Sequence, residues 1–466
     1  MKTYQDLLDV GQDEKARMEF VLSCINEYKG SEAYRKAVEA KLYYSGENPT
    51  INRYEKLLYD FMGQPHVDLF SANHKIASQF FGFDVNQEVS YLLGNGVTFA
   101  DDGTKDKLGE DFDLRLMDAA TWALVGGVGY GFFNLDHIQV FEATEFVPLY
   151  DEEDGALKAG VRWWQVDESK PLRATLYEMD GYTDYIRRKG EDMEVKEAKR
   201  AYKQIVQVSE ISGEEIVAGE NYPGFPVVPL KNGQDGKSEL TGKRNTIDAL
   251  DLCTSNLVNN IDEGSLIYWV LTNAGGMDDM DDAKFIERLK TVKVAHVDGP
   301  DGGTKAEPHT IEAPFAGTSA AIDTLTRKLF TDFQCFDSAA VSAGNQTATA
   351  IKASYAPLDL KTDLFERCVT GFILEILKLA GISDRPSYTR NRIVNTKEEA
   401  ETILLGAPYY DDEYITKKLL TLNGDADQYD ELQRRKISEA IASAAETKPA
   451  AYDTLSGAIH EGVNEA

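Results

Sequence analysis

At 466 residues the chain has room for roughly two to four domains, and its 42% hydrophobic and 27% charged residues are ordinary for a globular protein. A formal charge of −30 is not ordinary: neutralising phosphates takes clustered Lys and Arg, so tight wrapping of nucleic acid is excluded, whereas a surface that DNA slides past is not. Cys24, Cys253, Cys335 and Cys368 form no Cys-x-x-Cys pair or disulfide framework, and no apolar h-region or apolar run of about 18 residues occurs, so a reducing compartment of synthesis is expected, with no signal peptide and no membrane span.

Residues 1–60 read mainly as helices, the clearest being Ser31–Tyr44, which stops at Ser45-Gly46. Phe70–Leu93 reads as a second helix closing at Gly94, and Leu114–Leu124 as a third. The glycine cluster Gly126-Gly127-Val128-Gly129-Tyr130-Gly131 is followed by strand-like Phe132-Phe133 and Val140-Phe141. No helix N-terminus follows to hold an anion, so it is read as a turn where backbones approach closely. Residues 138–218 look β-rich. Val161–Val166, Arg173–Tyr177 and Tyr182–Ile186, with a turn at Asp180-Gly181, predict an antiparallel meander. With the preceding helices this makes an α+β unit, whose exit is stiffened by Pro223, Pro226 and Pro229.

Thr246–Gly264 is an amphipathic helix. Ile247, Leu250, Leu257, Val258 and Ile261 fall on one side, and Asp248, Asp251, Ser255, Asn259 and Asp262 on another. A small α/β insert follows, with a strand at Leu266–Leu271, a helix at Asp281–Lys290, a strand at Thr291–Val297 and a turn at Gly299–Gly303. Ser319–Phe336 is a helix with Ile322, Leu325, Leu329, Phe330 and Phe333 on one face. Asp337–Gln346 is a loop of small residues. Thr347–Ala380 is a helix about 50 Å long, bent at Pro357. Residues 383–394 read as a strand returning to the β-rich unit, and 396–466 as helices ending in an Ala/Glu-rich tail.

Signatures of catalysis are missing. His66, His74, His137, His296, His309 and His460 lie far apart, with no zinc hydrolase motif, and no Gly-x-Ser-x-Gly elbow occurs. Gly236-Lys237-Ser238 has the end of a phosphate loop, but Lys231 stands where the first glycine belongs. The acidic runs Asp151–Asp154 and Asp278, Asp279, Asp281 and Asp282 lack EF-hand spacing. No catalytic residue, metal site or cofactor is expected, and the chain is read as a non-enzyme.

The order helix, insert, helix, small-residue loop, long helix is the most informative feature. Val227-Val228-Pro229-Leu230, Asn232, Ser238-Glu239-Leu240, Ile247-Asp248-Ala249 and Ser255 resemble the approach to the stem in portal proteins of tailed bacteriophages of the siphovirus type. Gly344-Asn345-Gln346-Thr347 followed by Ala350-Ile351-Lys352 resembles that family's tunnel-loop signature, with Thr347-Ala348 where the family usually has Ser-Gly. Asn73-His74-Lys75-Ile76 before Tyr91-Leu92-Leu93-Gly94, and Glu398-Glu399-Ala400 before Asp430-Glu431-Leu432, are weaker matches in the same order.

The resemblance implies a multi-domain α+β portal fold assembled as a ring, typically of twelve subunits, at one capsid vertex. Residues 1–242 would be the wing, with the return strand at 383–394. Residues 243–265 and 316–336 would be stem helices, and 266–315 the α/β clip. Residues 337–346 would be the tunnel loop, 347–382 the long kinked helix of the wing, and 395–466 the helical crown. Ser338, Ala339, Ala340, Val341, Ser342, Ala343, Gly344 and Asn345 would meet DNA in the channel, and Asp248, Asp251 and Asp262 are candidates to line the stem. The implied partners are double-stranded DNA passing without sequence specificity, the terminase large subunit, a head–tail connector, and major capsid and scaffolding proteins. No membrane partner is implied. Synthesis in the bacterial host cytoplasm would precede incorporation into the virion. Duplex DNA carries about one negative charge per 1.7 Å, so an acidic bore would repel and centre it. The competing readings are a ring or connector of the tail or baseplate, and a nucleotide-driven motor, against which the missing phosphate loop counts.

Overall fold

A computed structural model of the chain describes residues 2–59, 63–69, 71–101, 103–208, 215–264, 268–272, 305–309, 315–339, 348–392, 396–425 and 428–446. The chain divides into two units, Met1–Asp337 with Tyr355–Asn391, and Ser338–Ser354 with Arg392–Ala466.

The first unit opens with α1 (Tyr4–Val10), α2 (Glu14–Lys29) and α3 (Glu32–Tyr44). Thr3, Asp13 and Ser31 each begin one of them by accepting first-turn backbone N–H groups. A short helix α4 (Pro49–Asn52) and a hairpin of β1 (Leu57–Tyr59) and β2 (Pro65–Val67) follow. Next come α5 (Phe80–Leu93), β3 (Val97–Thr98), α6 (Thr104–Leu108) and α7 (Phe112–Gly126). The helix expected from Phe70 thus begins ten residues later, at Phe80. Residues 71–79 are an irregular strap whose backbone donors are used elsewhere.

Strands β4 (Val128–Asn134) and β5 (His137–Glu142) form a hairpin that β13 (Val227–Lys231) extends to a three-stranded sheet. The glycine cluster splits between two jobs. Gly127, with φ +86°, ends α7 in the left-handed region, while Gly129 and Gly131 lie inside β4. A Cβ on Gly129 would sit 2.5 Å from the Ala119 carbonyl oxygen of α7, and one on Gly131 2.5 Å from Phe372. Close backbone approach occurs both where α7 ends, with a Cβ on Gly127 colliding with the Gly236 carbonyl oxygen, and inside the strand at Gly129.

The predicted meander is present as β6 (Phe146–Tyr150), β7 (Leu157–Trp164), β8 (Leu172–Glu178), β9 (Gly181–Arg187) and β10 (Met193–Arg200), in the order β10-β9-β8-β7-β6. Phe20, Val21, Cys24 and Ile25 of α2 pack with Val147, Val161, Trp163 and Leu176 to form its core. Buried Arg17 closes one side on Glu178. A separate ribbon pairs β11 (Lys203–Val208) with β12 (Glu215–Glu220).

The remaining elements of this unit are α8 (Arg244–Gly264), the paired β14 (Tyr268–Thr272) and β15 (Lys305–His309), α9 (Phe315–Phe333) and α10 (Ala348–Ala380). Helix α10 continues through Pro357, and its first turns, to Ser354, belong to the second unit. The helix, strand and turn expected at 281–303 lie outside the described residues. Helix α8 packs along α9. Helix α10 drives Phe365, Val369, Phe372, Ile373 and Leu377 into the main core beside Phe133, Leu116 and Leu124. The return strand reduces to β16 (Ser387–Tyr388), which pairs with β3 and not with the meander. The second unit is helical, as the sequence predicts, with α11 (Thr396–Gly406), α12 (Asp412–Asn423) and α13 (Tyr429–Glu446).

One ammonium sits inside the main core. Lys361 of α10 lies 3.0 Å from Asp84 and 2.8 Å from Glu88, both on α5, and 3.4 Å from Glu239. Asp84 and Glu88 are each 1% exposed. Burial pushes Glu88 up to about 7, against the pull of Lys361, and raises Asp84 likewise. Burial also works to raise Glu239, yet Lys361 and Lys243 outweigh it and hold that carboxyl down at about 2. Burial opposes the charge on Lys361, but the three carboxylates together raise its pKa.

Two outcomes follow from this packing. Gly131→Ala forces a methyl against the Phe372 ring and should destabilise the fold by about 1–3 kcal/mol, read as a lowered midpoint in urea. A carboxyl raised by folding stabilises fully below its unfolded pKa, here 4.5, and loses that contribution as pH climbs through about 7. Glu88→Gln removes this loss, so its melting temperature relative to the parent should rise between pH 5 and pH 8. A difference that stays flat across that range would refute the assignment.

Candidate functional site

The site expected from sequence comprises the polar face of α8 and the loop after α9. The polar face is already occupied within the protomer. The strap 71–79 runs antiparallel to α8. The His74 N–H donates to Asn259 Oδ1 at 2.7 Å, the Ile76 N–H to Ser255 Oγ at 3.0 Å, and the Ser78 N–H to Asp251 Oδ1 at 3.0 Å. Alternate N–H groups of an extended chain thus meet side chains four apart on a helix. Two extended residues advance about 6.6–6.8 Å and four helical residues about 6.0 Å, so the rungs stay in step for a few repeats. Asp251, Ser255 and Asn259 are 1%, 4% and 1% exposed.

A second polar node fixes the start of α8. Asp248 accepts from the Tyr43 hydroxyl, from Asn48 Nδ2 at 3.0 Å and from the Thr50 hydroxyl at 3.1 Å. Asn48 Nδ2 also donates to Asp251 at 2.8 Å. Burial raises Asp251, partly offset by its bonds from Asn48 and Ser78. Burial, helped by the bond to Asp248, pushes the Tyr43 phenol up to about 12.

Of Asp248, Asp251 and Asp262, expected to line a channel, the fold seals Asp251, engages Asp248 and leaves Asp262 exposed. Asp251 is sealed inside the protomer, and Asp248 is spent on α3, α4 and Asn48. Both face the chain's own N-terminal half because backbone and side-chain donors there require acceptors. Asp262 alone keeps an exposed carboxylate, and it pairs with His74. Sequence reading missed the strap. Its signal was the Asp251, Ser255, Asn259 spacing together with alternating residues at 74, 76 and 78.

The loop candidates divide. Ser338 and Ala339 are exposed, whereas Ala340, Val341, Ser342, Ala343, Gly344 and Asn345 lie outside the described residues. The points where the chain leaves and re-enters the first unit are strongly held. Phe336 stacks on Tyr355 with ring centroids 4.0 Å apart and an angle of 6°, and Tyr355 stacks on Tyr91 at 5.6 Å. The Gln87 side chain accepts from the Phe336 N–H at 2.8 Å and donates to its carbonyl at 2.9 Å. Next to it, the Cys335 thiol donates to Asp84 at 2.9 Å, and burial raises its pKa. The Lys361 cluster is thus one residue's reach from the loop's entry.

Other sequence candidates stay apart. Lys237 donates to Asp235 at 2.7 Å in an exposed loop beside an open hollow of about 490 Å³. Asp151 is bound to Lys158 and Gln5. Among the described residues no group of three or more His, Cys, Asp or Glu is placed to hold a metal ion, and no helix is long and apolar enough to cross a membrane. The geometry is that of braces and anchors.

Residues 26–441 match the family model for phage portal proteins of the SPP1 Gp6-like type. The portal protein of Clostridium phage phiCD119 is 24% identical over 402 residues, covering 79% of this chain and 85% of the relative. That of Bacillus phage SPP1 is 24% identical over 408 residues, covering 78% and 76%. Among solved structures, a chain from the virion of a native gene transfer agent particle is 11% identical with a TM-score of 0.44, covering 74% of this chain and 89% of that one. A chain from the neck of the native particle, computed with C12 symmetry, gives 11% and 0.41, covering 73% and 89%. A match running almost end to end settles the assignment: this chain belongs to the SPP1 Gp6-like family of phage portal proteins.

Proposed function

We propose that this portal protein assembles into a ring at one vertex of the phage head, of twelve copies by the family resemblance, and that duplex DNA enters and leaves through its bore. The observation that carries this reading is the family match across residues 26–441, which takes in both helices of the α8–α9 pair and the loop after them. On this reading α8 and α9 are the stem, 266–315 is the clip that docks the terminase large subunit and later the head–tail connector, and 337–346 form the tunnel loop. The wing comprises 1–242 with 347–394, and 395–466 form the crown, facing the capsid interior with its major capsid and scaffolding proteins. The protein works by shape and charge, leaving nucleotide hydrolysis to its partner.

The local geometry supports a division of labour. A loop that must shift as DNA passes needs fixed ends, and the stack of Phe336 on Tyr355 with the Gln87 clamp supplies them. A stem that bears load needs bracing, and the strap supplies it to α8. Contact with DNA is then geometric, with phosphates and not base edges.

Three outcomes test the reading. Negative-stain images of the purified chain should show rings with a central hole of duplex width; a closed assembly would end the proposal. Deleting 338–344 should leave rings intact and lower DNA packaging or retention, and loss of the rings would make the loop structural. Asp251→Ala strands buried donors of Asn48 and Ser78 and should destabilise by about 2–3 kcal/mol, whereas Asp262→Ala, breaking an exposed pair, should change stability by less than about 1 kcal/mol. Thermal unfolding separates the two, and equal shifts would contradict the strap as the role of Asp251.

A further inference from the structure

Helix α10 is apolar on two sides, and its own unit buries one of them. Tyr355, Leu358, Phe365, Val369, Phe372 and Ile376 point into the core. On the opposite side Leu360 is 68% exposed, Leu364 65% and Leu374 38%. At about 100° per residue these leucines fall within roughly 40° of one line, together with Arg367 and Gly371.

Gly371 is the informative member. A glycine inside a helix sacrifices stability relative to alanine, so it needs a reason. Here a Cβ would meet nothing within 4 Å, and the residue carries no positive φ. Nothing described in the protomer requires the missing side chain. A glycine between exposed Leu364 and Leu374 makes a notch in an apolar ridge, the shape that receives a knob from a second surface. Arg367, in the same line, has no carboxylate within ion-pair reach among the described residues.

We infer that the Leu360–Leu364–Gly371–Leu374 stripe of α10 is buried against the next copy of this chain. This rests on the ring reading above. A closed ring of identical subunits joins two different patches, so each copy must carry both halves of the contact. The same unit does carry a second, separate apolar patch at the β1–β2 hairpin, where Leu57 is 50%, Val67 46% and Leu69 85% exposed. The charge balance also favours a second copy. With 79 acidic against 49 basic residues, the surface of this chain offers carboxylates that would complement the unpaired Arg367.

The test uses the full-length chain, with assembly measured by mass photometry over a dilution series and folding by far-UV circular dichroism. Leu360→Asp with Leu364→Asp should give folded monomers. Gly371→Leu should melt as a monomer at or above the parent's temperature, because it gains helix propensity, yet raise the half-assembly concentration by at least about tenfold. Val166→Asp, at an exposed turn residue away from the stripe, should assemble like the parent. Should the double variant misfold, the glycine variant decides alone. Parent and stripe variants forming rings equally well would overturn the inference and leave the ring reading standing, as would variants that form rings and fail only at DNA packaging. A parent that never forms rings would instead bring down the ring reading.

Discussion

The seating of α5 and α8 depends on where three backbone N–H groups find acceptors. The strap at 71–79 belongs to neither a helix nor a sheet, so its donors have no partner in regular structure. Buried donors without partners are strongly unfavourable. Helix α8 solves this with Asp251, Ser255 and Asn259, spaced so that each successive rung falls opposite an alternate strap residue. The mismatch of about 0.6–0.8 Å per rung limits such a ladder to a few steps. The strap accordingly turns into α5 at Phe80, two residues past its last rung.

What begins as satisfaction of donors ends at Phe336 and Tyr355, one on either side of residues 337–346. The strap leads into α5, and α5 carries Asp84, Gln87, Glu88 and Tyr91. Those four side chains reach Cys335, Phe336, Lys361 and Tyr355, which flank the loop on both sides. Glu239, on the lead-in to α8, joins through Lys361. Four separate stretches of chain thus converge on one buried ammonium. Buried ion clusters are weak sources of net stability, but removing one member strands the others. Such a cluster sets register: α5, α10, the end of α9 and the 239 segment cannot slide past one another without exposing an uncompensated charge.

Much of the fold was legible in the sequence because it follows from local period. The meander alternates, α9 and α10 carry apolar stripes, and α8 is amphipathic within two residues of its observed start. Errors came where a distant partner overrides the local pattern. Residues 71–79 have helix-like apolar spacing, but their donors go to α8, some 180 residues on. Gly131 looked like part of a turn because Phe372, the reason for it, lies 241 positions away. The polar face of α8 was read as solvent-facing because a row of Asp, Ser and Asn looks the same whether it meets water or a strap. Only the spacing of strap and helix together distinguishes these, and neither segment reveals it alone.

For the proposed channel, these contacts change the electrostatic picture. An acidic stem face was an attractive source of repulsion toward DNA. Yet Asp251 is sealed, Asp248 is consumed by Tyr43, Asn48 and Thr50, and Asp262 is matched by His74. The exposed side of α9 is no substitute. It offers Thr324 and Thr331 with Asp323, Arg327 and Lys328, and Lys328 pairs with Asp332, so its charges balance. A weak grip on DNA does not need an acidic stem. It needs only the absence of a dense cationic track, because affinity for duplex grows with the number of phosphates neutralised. If α8 and α9 line the bore, as proposed above, their hydroxyls and balanced charges meet that condition by sparseness and not by repulsion.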